Sequence, residues 1–260
     1  MKELEGKVAI VTGTTGIGRA VAMRLADGGA TVLACGIEQQ ANQDLAREAV
    51  ASRLRIQAEL CDVTQVEAVR SVVDKAVGEL GGLDVIVNAA AFHPFGNVVE
   101  TTPESWNQCM AVNVASIFLL AHFGIPEMRK RGGGAIINFA SVQGYACQPG
   151  VAAYAASKGA VHSLTRALAL DHAKDKIRVN SISPGSIRTP MLERSAANFA
   201  RGVPIDEVFA RWGEAHPLGR IGTPEEVAEL AAFLISDRAG FCTGGDYLID
   251  GGLLAALGVR

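Results

Sequence analysis

The chain has 260 residues, long enough to bury a sizeable core, and α/β folds of this length are often single domains. Its formal net charge of −3 is small and its Lys and Arg residues are scattered, so the sequence shows no basic patch for nucleic acid or an anionic membrane. Its five cysteines have no C-x-x-C spacing, which argues against a disulfide framework and a structural zinc site and predicts a cytoplasmic setting. Neither a signal peptide nor an apolar run of about 18 residues, as a membrane span needs, is evident.

Short apolar runs without helical period alternate with amphipathic stretches along the whole chain. The runs predicted to be strands are 8–11, 31–34, 85–87, 135–139, 179–182 and 247–249. Continuous apolar strands that alternate with helices are typical of a parallel sheet covered on both faces. The sequence therefore predicts an α/β fold with a doubly wound Rossmann-type sheet, and residues 1–260 are expected to form one domain.

Several helix starts are marked by local signals. Thr64 with Glu67 and Thr223 with Glu226 have the spacing of capping boxes. Pro103 and Pro224 each follow a threonine, as proline at the first helical position often does.

A glycine-rich turn, with the sequence TGTTGIG at 12–18, follows the first predicted strand and leads into a helix that extends to about Leu25. Glycine lets the backbone turn tightly and approach a pyrophosphate, and the helix N-terminus supplies free N–H groups. A plain strand-to-helix turn is the alternative. The position after the first strand of an alternating pattern favours dinucleotide binding.

The second predicted strand ends without the acidic residue that would bind the adenosine ribose hydroxyls. Gly36 has no carboxylate, and no Lys or Arg between residues 26 and 46 could pair with a 2′-phosphate. Arg19 could reach such a phosphate from the first helix. The choice between NAD and NADP stays open, with a slight preference for NAD.

Tyr154 and Lys158 lie one turn apart in a predicted helix, so their side chains share a face. A phenol with a pKa of about 10 is a poor base at neutral pH, but a cation about 5 Å away contributes on the order of 3 kcal/mol in favour of the phenolate. An ordinary surface Tyr and Lys are the alternative. Ser141, just past the predicted strand 135–140, can hydrogen-bond the same reacting oxygen and favours catalysis.

At this point the residues resemble the short-chain dehydrogenase/reductase (SDR) family, and the resemblance covers essentially the whole chain. Further matches are Asp62-Val63 after the third strand, Asn-Ala-Ala at 88–90, Asn113, Pro184-Gly185 and Asp250-Gly251-Gly252. The resemblance implies that Tyr154 exchanges the hydroxyl proton, Ser141 steadies the oxygen, and Lys158 lowers the Tyr154 pKa and binds the nicotinamide ribose. It also implies that the main-chain carbonyl of Asn113 holds a water that links Lys158 to a proton relay.

The same resemblance implies which residues bind the cofactor. Asp62 would contact the adenine, residues 88–90 would line the cofactor groove, and residues 184–189 would hold the nicotinamide end. The full predicted set is Gly13, Thr15, Gly16, Ile17, Gly18, Asp62, Val63, Asn88, Ala89, Ala90, Tyr154, Lys158, Pro184, Gly185, Ile187 and Thr189.

The sequence departs from the family pattern at two places. The SDR turn is usually G-x-x-x-G-x-G, whereas only two residues separate Gly13 from Gly16, so the loop has one N–H fewer. If Gly16 and Gly18 keep their usual places, Thr12 takes the place of the first glycine. Ala91 stands where a glycine is usual.

A stretch with weak strand signal, at about 186–222, is predicted to be a substrate lid that includes Met191, Leu192 and Trp212. The other residues expected around the reacting carbon are His93, Phe95, Gln143, Tyr145 and Gln148, and Ser141 and Tyr154 complete the predicted substrate site. His93, Gln143 and Gln148 suit a sugar, a polyol or another polar substrate, with a solvated loop position as the alternative. The remaining histidines show no metal-ligand pattern and are interpreted as structural or solvated.

The predicted function is reversible hydride transfer between NAD(P) and a secondary alcohol or ketone. The alternatives are a 3-oxoacyl, steroid or cyclic-alcohol reductase, a non-catalytic dinucleotide-binding or regulatory protein, and epimerisation or dehydration through a tightly held cofactor. The family resemblance and the apolar tail 253–257 predict a homotetramer. Neither a nucleic acid nor a membrane is expected as a partner.

Overall fold

A computed structural model describes residues 2–200 and 202–257, apart from the side chains at 199 and 200. The strands are β1 (Val8–Thr12), β2 (Thr31–Gly36), β3 (Ile56–Leu60), β4 (Val85–Asn88), β5 (Gly134–Phe139), β6 (Ile177–Pro184) and β7 (Asp246–Ile249). The helices are α1 (Gly16–Asp27), α2 (Gln39–Ala51), α3 (Val66–Leu80), α4 (Pro103–Met110), α5 (Ser116–Lys130), α6 (Ala152–His172), α7 (Pro190–Ala200), α8 (Ile205–Glu214) and α9 (Pro224–Ile235).

The strands of the described residues form one parallel sheet with the order β3-β2-β1-β4-β5-β6-β7. Successive side chains of a strand point to opposite faces, so a strand that is covered on both faces contributes to two cores. In β1, Ala9 and Val11 belong to the core shared with α1 and α9, whereas Val8 and Ile10 belong to the core shared with α3 and α5. The predicted doubly wound Rossmann-type sheet is confirmed.

Strand β3 is the one strand that the apolar runs did not predict, although the family resemblance implied a third strand before Asp62. It forms the edge of the sheet and pairs with β2 alone. Only Ile56 is buried in it. An edge strand covered on one side does not need a continuous apolar run, which is why the pattern failed here.

The two predicted capping boxes have different outcomes. At the start of α9, the Thr223 hydroxyl accepts from the Glu226 N–H and the Glu226 carboxylate accepts from the Thr223 N–H, as predicted. The box predicted at Thr64 is wrong, because α3 begins later and its N-cap residue makes no side-chain bond to the helix. The Thr64 N–H and hydroxyl instead donate to Asp62 Oδ1, at 2.9 and 2.7 Å.

Helices α4 and α5 are joined by a π-helical turn (Ala111–Ala115) into one helical segment, Pro103–Lys130. By length and composition alone this 28-residue segment could cross a membrane, which the sequence analysis did not anticipate. A core helix of a soluble protein meets the same two criteria. Here the segment packs against α3, α6 and β4, as a core helix does.

Candidate active site

A cavity of about 650 Å³ lies at the carboxyl edge of the sheet, within the range of about 300–1,000 Å³ that ligand pockets span. Because the strands are parallel, the segments that follow them meet at this edge. Every residue of the predicted cofactor set lines the cavity except Asn88. The predicted substrate residues His93, Ser141, Gln143, Gln148 and Tyr154 line it as well.

The glycine turn brings main-chain atoms to the cavity wall. Gly13 has a φ of +90°, and a Cβ there would lie 3.3 Å from the carbonyl oxygen of Ala89. A Cβ at Gly18 would lie only 2.2 Å from the carbonyl oxygen of Gly13. Helix α1 begins at Gly16, and the N-cap residue Thr15 makes no side-chain bond to it. The free N–H groups at this helix start fit a pyrophosphate.

Thr12 does not take the place of the first glycine, and the conditional prediction is corrected. It remains the last residue of β1, and its hydroxyl accepts from the N–H groups of Ala89 and Ala90, each at 3.0 Å. Gly13 makes the turn. Relative to the family pattern, the loop between Gly13 and Gly16 is therefore the part that is one residue shorter. Strand β1 still ends directly before the first glycine of the turn.

The adenosine end of the cavity is formed by the segments after β1, β2 and β3. A Cβ at Gly36 would lie 2.5 Å from Thr14 Oγ1, so the buried Thr14 side chain occupies the space beside this glycine. Glu38 lines the cavity here. Arg19 forms an ion pair with Glu48 on α2. The cation considered for a 2′-phosphate is thus already paired.

Tyr154 and Lys158 face the cavity from the first two turns of α6, and both are almost fully buried. Lys158 Nζ donates to the carbonyl oxygen of Phe139 at 2.7 Å and lies 5.4 Å from the centre of the Tyr154 ring. Ser141 is the second residue after β5, lies on the cavity wall and hydrogen-bonds the phenol. The structure brings the three predicted catalytic side chains together.

Burial dominates the ionisation of this group. It raises the pKa of Tyr154 to about 12, and the hydrogen bond with Ser141 acts in the opposite direction. It lowers the pKa of Lys158 to about 8. Burial therefore dominates the Tyr154 pKa in this structure, and the lowering of that pKa by Lys158 stays a prediction.

The free energy of unfolding should depend on pH in a way that can be assigned to Lys158. Above a pH of about 8 the folded chain loses the Lys158 proton while the unfolded chain keeps it up to its ordinary pKa of 10.5, so stability rises with pH. Between pH about 7 and about 9.5, wild type should gain on the order of 2 kcal/mol relative to Lys158→Met. Urea denaturation measures this difference.

The matched control is Lys130→Met, since the Lys130 side chain is 71% exposed. This variant should follow the wild-type dependence on pH. Parallel pH curves for wild type and Lys158→Met would show that Lys158 keeps an ordinary pKa.

The two predicted asparagines do not line the cavity. The Asn88 side chain is buried and donates to Asn138 Oδ1 at 2.8 Å, which corrects its assignment to the cofactor groove. Asn113 lies in the π-helical turn, where its side chain bonds the main chain of Phe92 and the hydroxyl of Ser157. Its side chain thus braces the segment after β4. The role predicted for its main-chain carbonyl stays a prediction.

At the substrate end, the His93 ring centre lies 4.2 Å from the Tyr154 ring centre and 4.8 Å from that of Phe95. Phe95 and Tyr145 do not line the cavity, contrary to prediction. The Tyr145 hydroxyl donates to Asp246 Oδ2 at 2.9 Å. The predicted lid holds α7 and α8 and, apart from residue 201, is described; its Met191, Leu192 and Trp212 line the cavity.

Sequence reasoning missed part of the wall. Leu253 and Leu254 line the cavity, while their predicted place in a subunit interface stays a prediction. The buried His216 lines the cavity too, and its Nδ1 lies 2.5 Å from the Asp250 carbonyl oxygen. Gly251 and Gly252, directly before Leu253, both have a positive φ, as in a tight turn. This pair of glycines was the feature of the sequence that could have predicted a turn of the chain back toward the cavity. Further lining residues that the sequence analysis did not predict include Cys35, Glu38, Cys61, Val112, Phe139 and Ala140.

A second polar cluster lies one turn beyond Lys158 on α6. His162 Nε2 lies 2.9 Å from Ser183 Oγ and 3.5 Å from Asp246 Oδ1, and the Ser181 and Ser183 hydroxyls both donate to Asp246. Burial lowers the pKa of His162. One nitrogen faces both partners and Ser183 is fully buried, so the cluster joins α6 to β6 and β7 and is not a hydrolytic triad. Among the described residues, no acidic, Cys and His side chains form a metal site.

Comparisons with known proteins show that this chain is similar to oxidoreductases. A family model described as enoyl-(acyl carrier protein) reductase matches residues 11–254. Cyclohexanol dehydrogenase of Acinetobacter sp. (strain SE19) is 36% identical over 96% of this chain and 95% of its own length. L-fucose dehydrogenase of Bos taurus is 39% identical over 95% of this chain and 89% of its own. L-sorbose reductase of Gluconobacter frateurii, solved with NADPH and L-sorbose, has a TM-score of 0.93 and 33% identity over 99% of this chain and 100% of its own.

Proposed function

The chain belongs to the short-chain dehydrogenase/reductase family and is an NAD(P)-dependent oxidoreductase of secondary alcohols and ketones, and we propose that Tyr154, Ser141 and Lys158 are its catalytic residues. The observation that carries this proposal is that these three buried side chains line one cavity, with Ser141 bonded to the Tyr154 phenol and Lys158 Nζ 5.4 Å from the Tyr154 ring centre. Cyclohexanol, L-fucose and L-sorbose appear in the names of the relatives. They support an alcohol or carbonyl substrate for this chain.

The cavity fits a nicotinamide dinucleotide, which supplies or accepts the hydride when bound. Two observations support this fit. A Cβ at Gly18 would clash with main-chain atoms of the glycine turn, so only glycine leaves room there, and the N–H groups at the start of α1 have no side-chain cap. These groups would hold the pyrophosphate, Asp62 and Val63 the adenosine, and Pro184 to Thr189 the nicotinamide end.

Tyr154 acts as the proton donor for a ketone oxygen. With a pKa raised to about 12, its phenol keeps its proton at neutral pH, which suits reduction. Ser141 donates a hydrogen bond to the same oxygen as negative charge develops on it. Oxidation of an alcohol requires that the phenol lose its proton, and a positive charge near Tyr154, as on protonated Lys158, favours that step.

The assay is direct. The chain should show alcohol-dependent growth of nicotinamide absorbance with a panel of sugars, polyols, cyclic alcohols and monohydric alcohols, and ketone-dependent loss of it in reverse. A non-catalytic chain would bind the nucleotide without turnover. Epimerisation or dehydration would convert substrate without a net change in absorbance.

We propose further that NAD is preferred to NADP. Glu38 lines the adenosine end, Arg19 is paired with Glu48, and the described wall residues at 13–18, 35–38 and 61–63 include no Lys or Arg. A carboxylate repels a 2′-phosphate, so kcat/KM with NAD⁺ should exceed that with NADP⁺ by about tenfold or more. Glu38→Gln should narrow this ratio. Equal values for the two nucleotides in wild type would contradict the proposal.

We also propose a homotetramer in the cytoplasm. Phe118 and Leu170 leave apolar surface on α5 and α6, and Phe241 and Leu248 leave it near β7 at the sheet edge, which supports two contact faces. All five cysteines are unpaired, as suits a reducing compartment. A monomeric mass in analytical ultracentrifugation would contradict the assembly, and cell fractionation tests the location.

A further inference from the structure

Two polar atoms at the substrate end of the cavity are buried without a hydrogen-bond partner among the described residues. They are Nδ1 of His93 and Oε1 of Gln143, and both residues line the cavity. Buried polar side-chain atoms are nearly always paired in folded proteins. Two unpaired atoms on the wall of one ligand site therefore indicate a ligand that completes them.

Both atoms belong to residues beside the catalytic group. The His93 ring packs on the Tyr154 ring, with 4.2 Å between their centres. The Gln143 N–H donates to Ser141 Oγ at 3.1 Å. Tyr154 and Ser141 hold the reacting oxygen in the proposed function, so a group that reaches His93 and Gln143 lies close to the reacting carbon.

The chemistry of the two atoms restricts this group. Burial lowers the pKa of His93, the charge of Lys158 adds to that effect, and a contact with its own main-chain carbonyl opposes it. The neutral imidazole that results has one donor and one acceptor nitrogen, and the Gln143 oxygen only accepts. A hydroxyl both donates and accepts, so it can satisfy both residues. A carboxylate would leave the Gln143 oxygen unpaired and facing negative charge.

The lid and the C-terminal segment add apolar side chains to the lining of the same cavity, namely Met191, Leu192, Trp212, Leu253 and Leu254. A carbon skeleton can pack on these side chains while the hydroxyl groups bind His93 and Gln143.

Resting on the proposed function, we propose that the substrate is a vicinal diol, or in reverse the matching α-hydroxy ketone, whose second hydroxyl is bound by His93 and Gln143. In oxidation, the C–H bond at the reacting carbon breaks as hydride passes to NAD(P)⁺. The O–H proton passes to the phenolate form of Tyr154, and the carbonyl double bond forms. The second hydroxyl is unchanged, and its hydrogen bonds select the substrate.

The test compares matched alcohols with the wild-type enzyme, using cyclohexanol against cis- and trans-1,2-cyclohexanediol, and butan-2-ol against the stereoisomers of 2,3-butanediol. At least one diol in each set should exceed its monohydric partner in kcat/KM by about 10- to 100-fold. Ratios within about twofold of unity for every isomer would overturn the proposal.

Variants assign the effect to the two residues. His93→Leu and Gln143→Leu should each reduce the diol-to-monohydric ratio by about tenfold. The control Gln57→Leu, at an exposed position on β3, should keep the wild-type ratio. A loss that is equal for diol and monohydric alcohol would reveal a merely structural role and would contradict the selection of the second hydroxyl.

A binding measurement distinguishes failure of the proposed function from failure of the proposal that the substrate is a vicinal diol. If neither type of alcohol supports hydride transfer, the proposed function fails. Calorimetric titration of Tyr154→Phe in the presence of NAD⁺ then decides the present inference alone. Tighter binding of the diols than of the monohydric alcohols sustains it, and equal binding overturns it.

Discussion

Replacement of Tyr154 by Phe should lower kcat by about 10²- to 10⁴-fold, the usual contribution of a positioned acid or base. The ring of phenylalanine can keep the packing against His93 and the small apolar cluster with Cys109, so the fold should survive. The hydroxyl that hydrogen-bonds Ser141 is lost. Steady-state kinetics in both directions measures the effect.

Two controls test whether a lower kcat reflects the loss of the Tyr154 hydroxyl rather than a loss of cofactor binding or of the fold. Cofactor affinity, from fluorescence titration with NADH and NADPH, should change by no more than a few-fold, because Phe retains the cavity wall. Tyr247→Phe is the matched control, since Tyr247 lies on β7 and does not line the cavity. A near-normal kcat for Tyr154→Phe would remove Tyr154 from the mechanism.

Replacement of Gly18 by Ala should damage both stability and cofactor binding. The new Cβ would lie 2.2 Å from the Gly13 carbonyl oxygen and 3.0 Å from that of Thr12. Both are main-chain atoms, so rotation of a side chain cannot relieve the contact, and the turn must move. Overpacking of this kind costs about 1–3 kcal/mol, and displacement of the phosphate cradle should weaken NADH binding by about tenfold or more.

The control for this variant is Gly78→Ala. Gly78 lies inside α3, and apart from its chain neighbours and the backbone of its own helix no heavy atom of the described residues lies within 4 Å of its added Cβ. Alanine there should raise the free energy of unfolding by about 0.5–1 kcal/mol and leave cofactor binding unchanged. If Gly18→Ala bound NADH as tightly as Gly78→Ala, the assignment of the turn to the pyrophosphate would be wrong.

The features that could be predicted from the sequence are those that depend on local pattern. The buried strand β1 forms a continuous apolar run, and the glycine turn after it is contiguous in sequence. Tyr154 and Lys158 share a helix face because of their spacing alone. Strand β3 escaped the apolar pattern because its edge position relaxes the demand for burial.

Features that depend on neighbours distant in sequence could not be predicted. The ionisation of Tyr154 depends on how deeply the whole cavity buries it. The direction of the Asn88 side chain depends on a partner, Asn138, on the next strand. The unpaired atoms of His93 and Gln143 can be identified only from the three-dimensional positions of all the groups around them.

The contact between Thr14 and Gly36 limits how this enzyme can be redesigned. To change the nucleotide preference of this enzyme, an acidic or basic residue would first be introduced at position 36, which lines the adenosine end of the cavity. Any side chain there would begin 2.5 Å from Thr14 Oγ1 and 3.2 Å from Asn42 Oδ1. A library that varies position 36 alone therefore forces the buried Thr14 side chain to move, and its members should lose stability. Productive variants should emerge when Thr14 is reduced to glycine or alanine at the same time, so the two positions must be engineered as one unit.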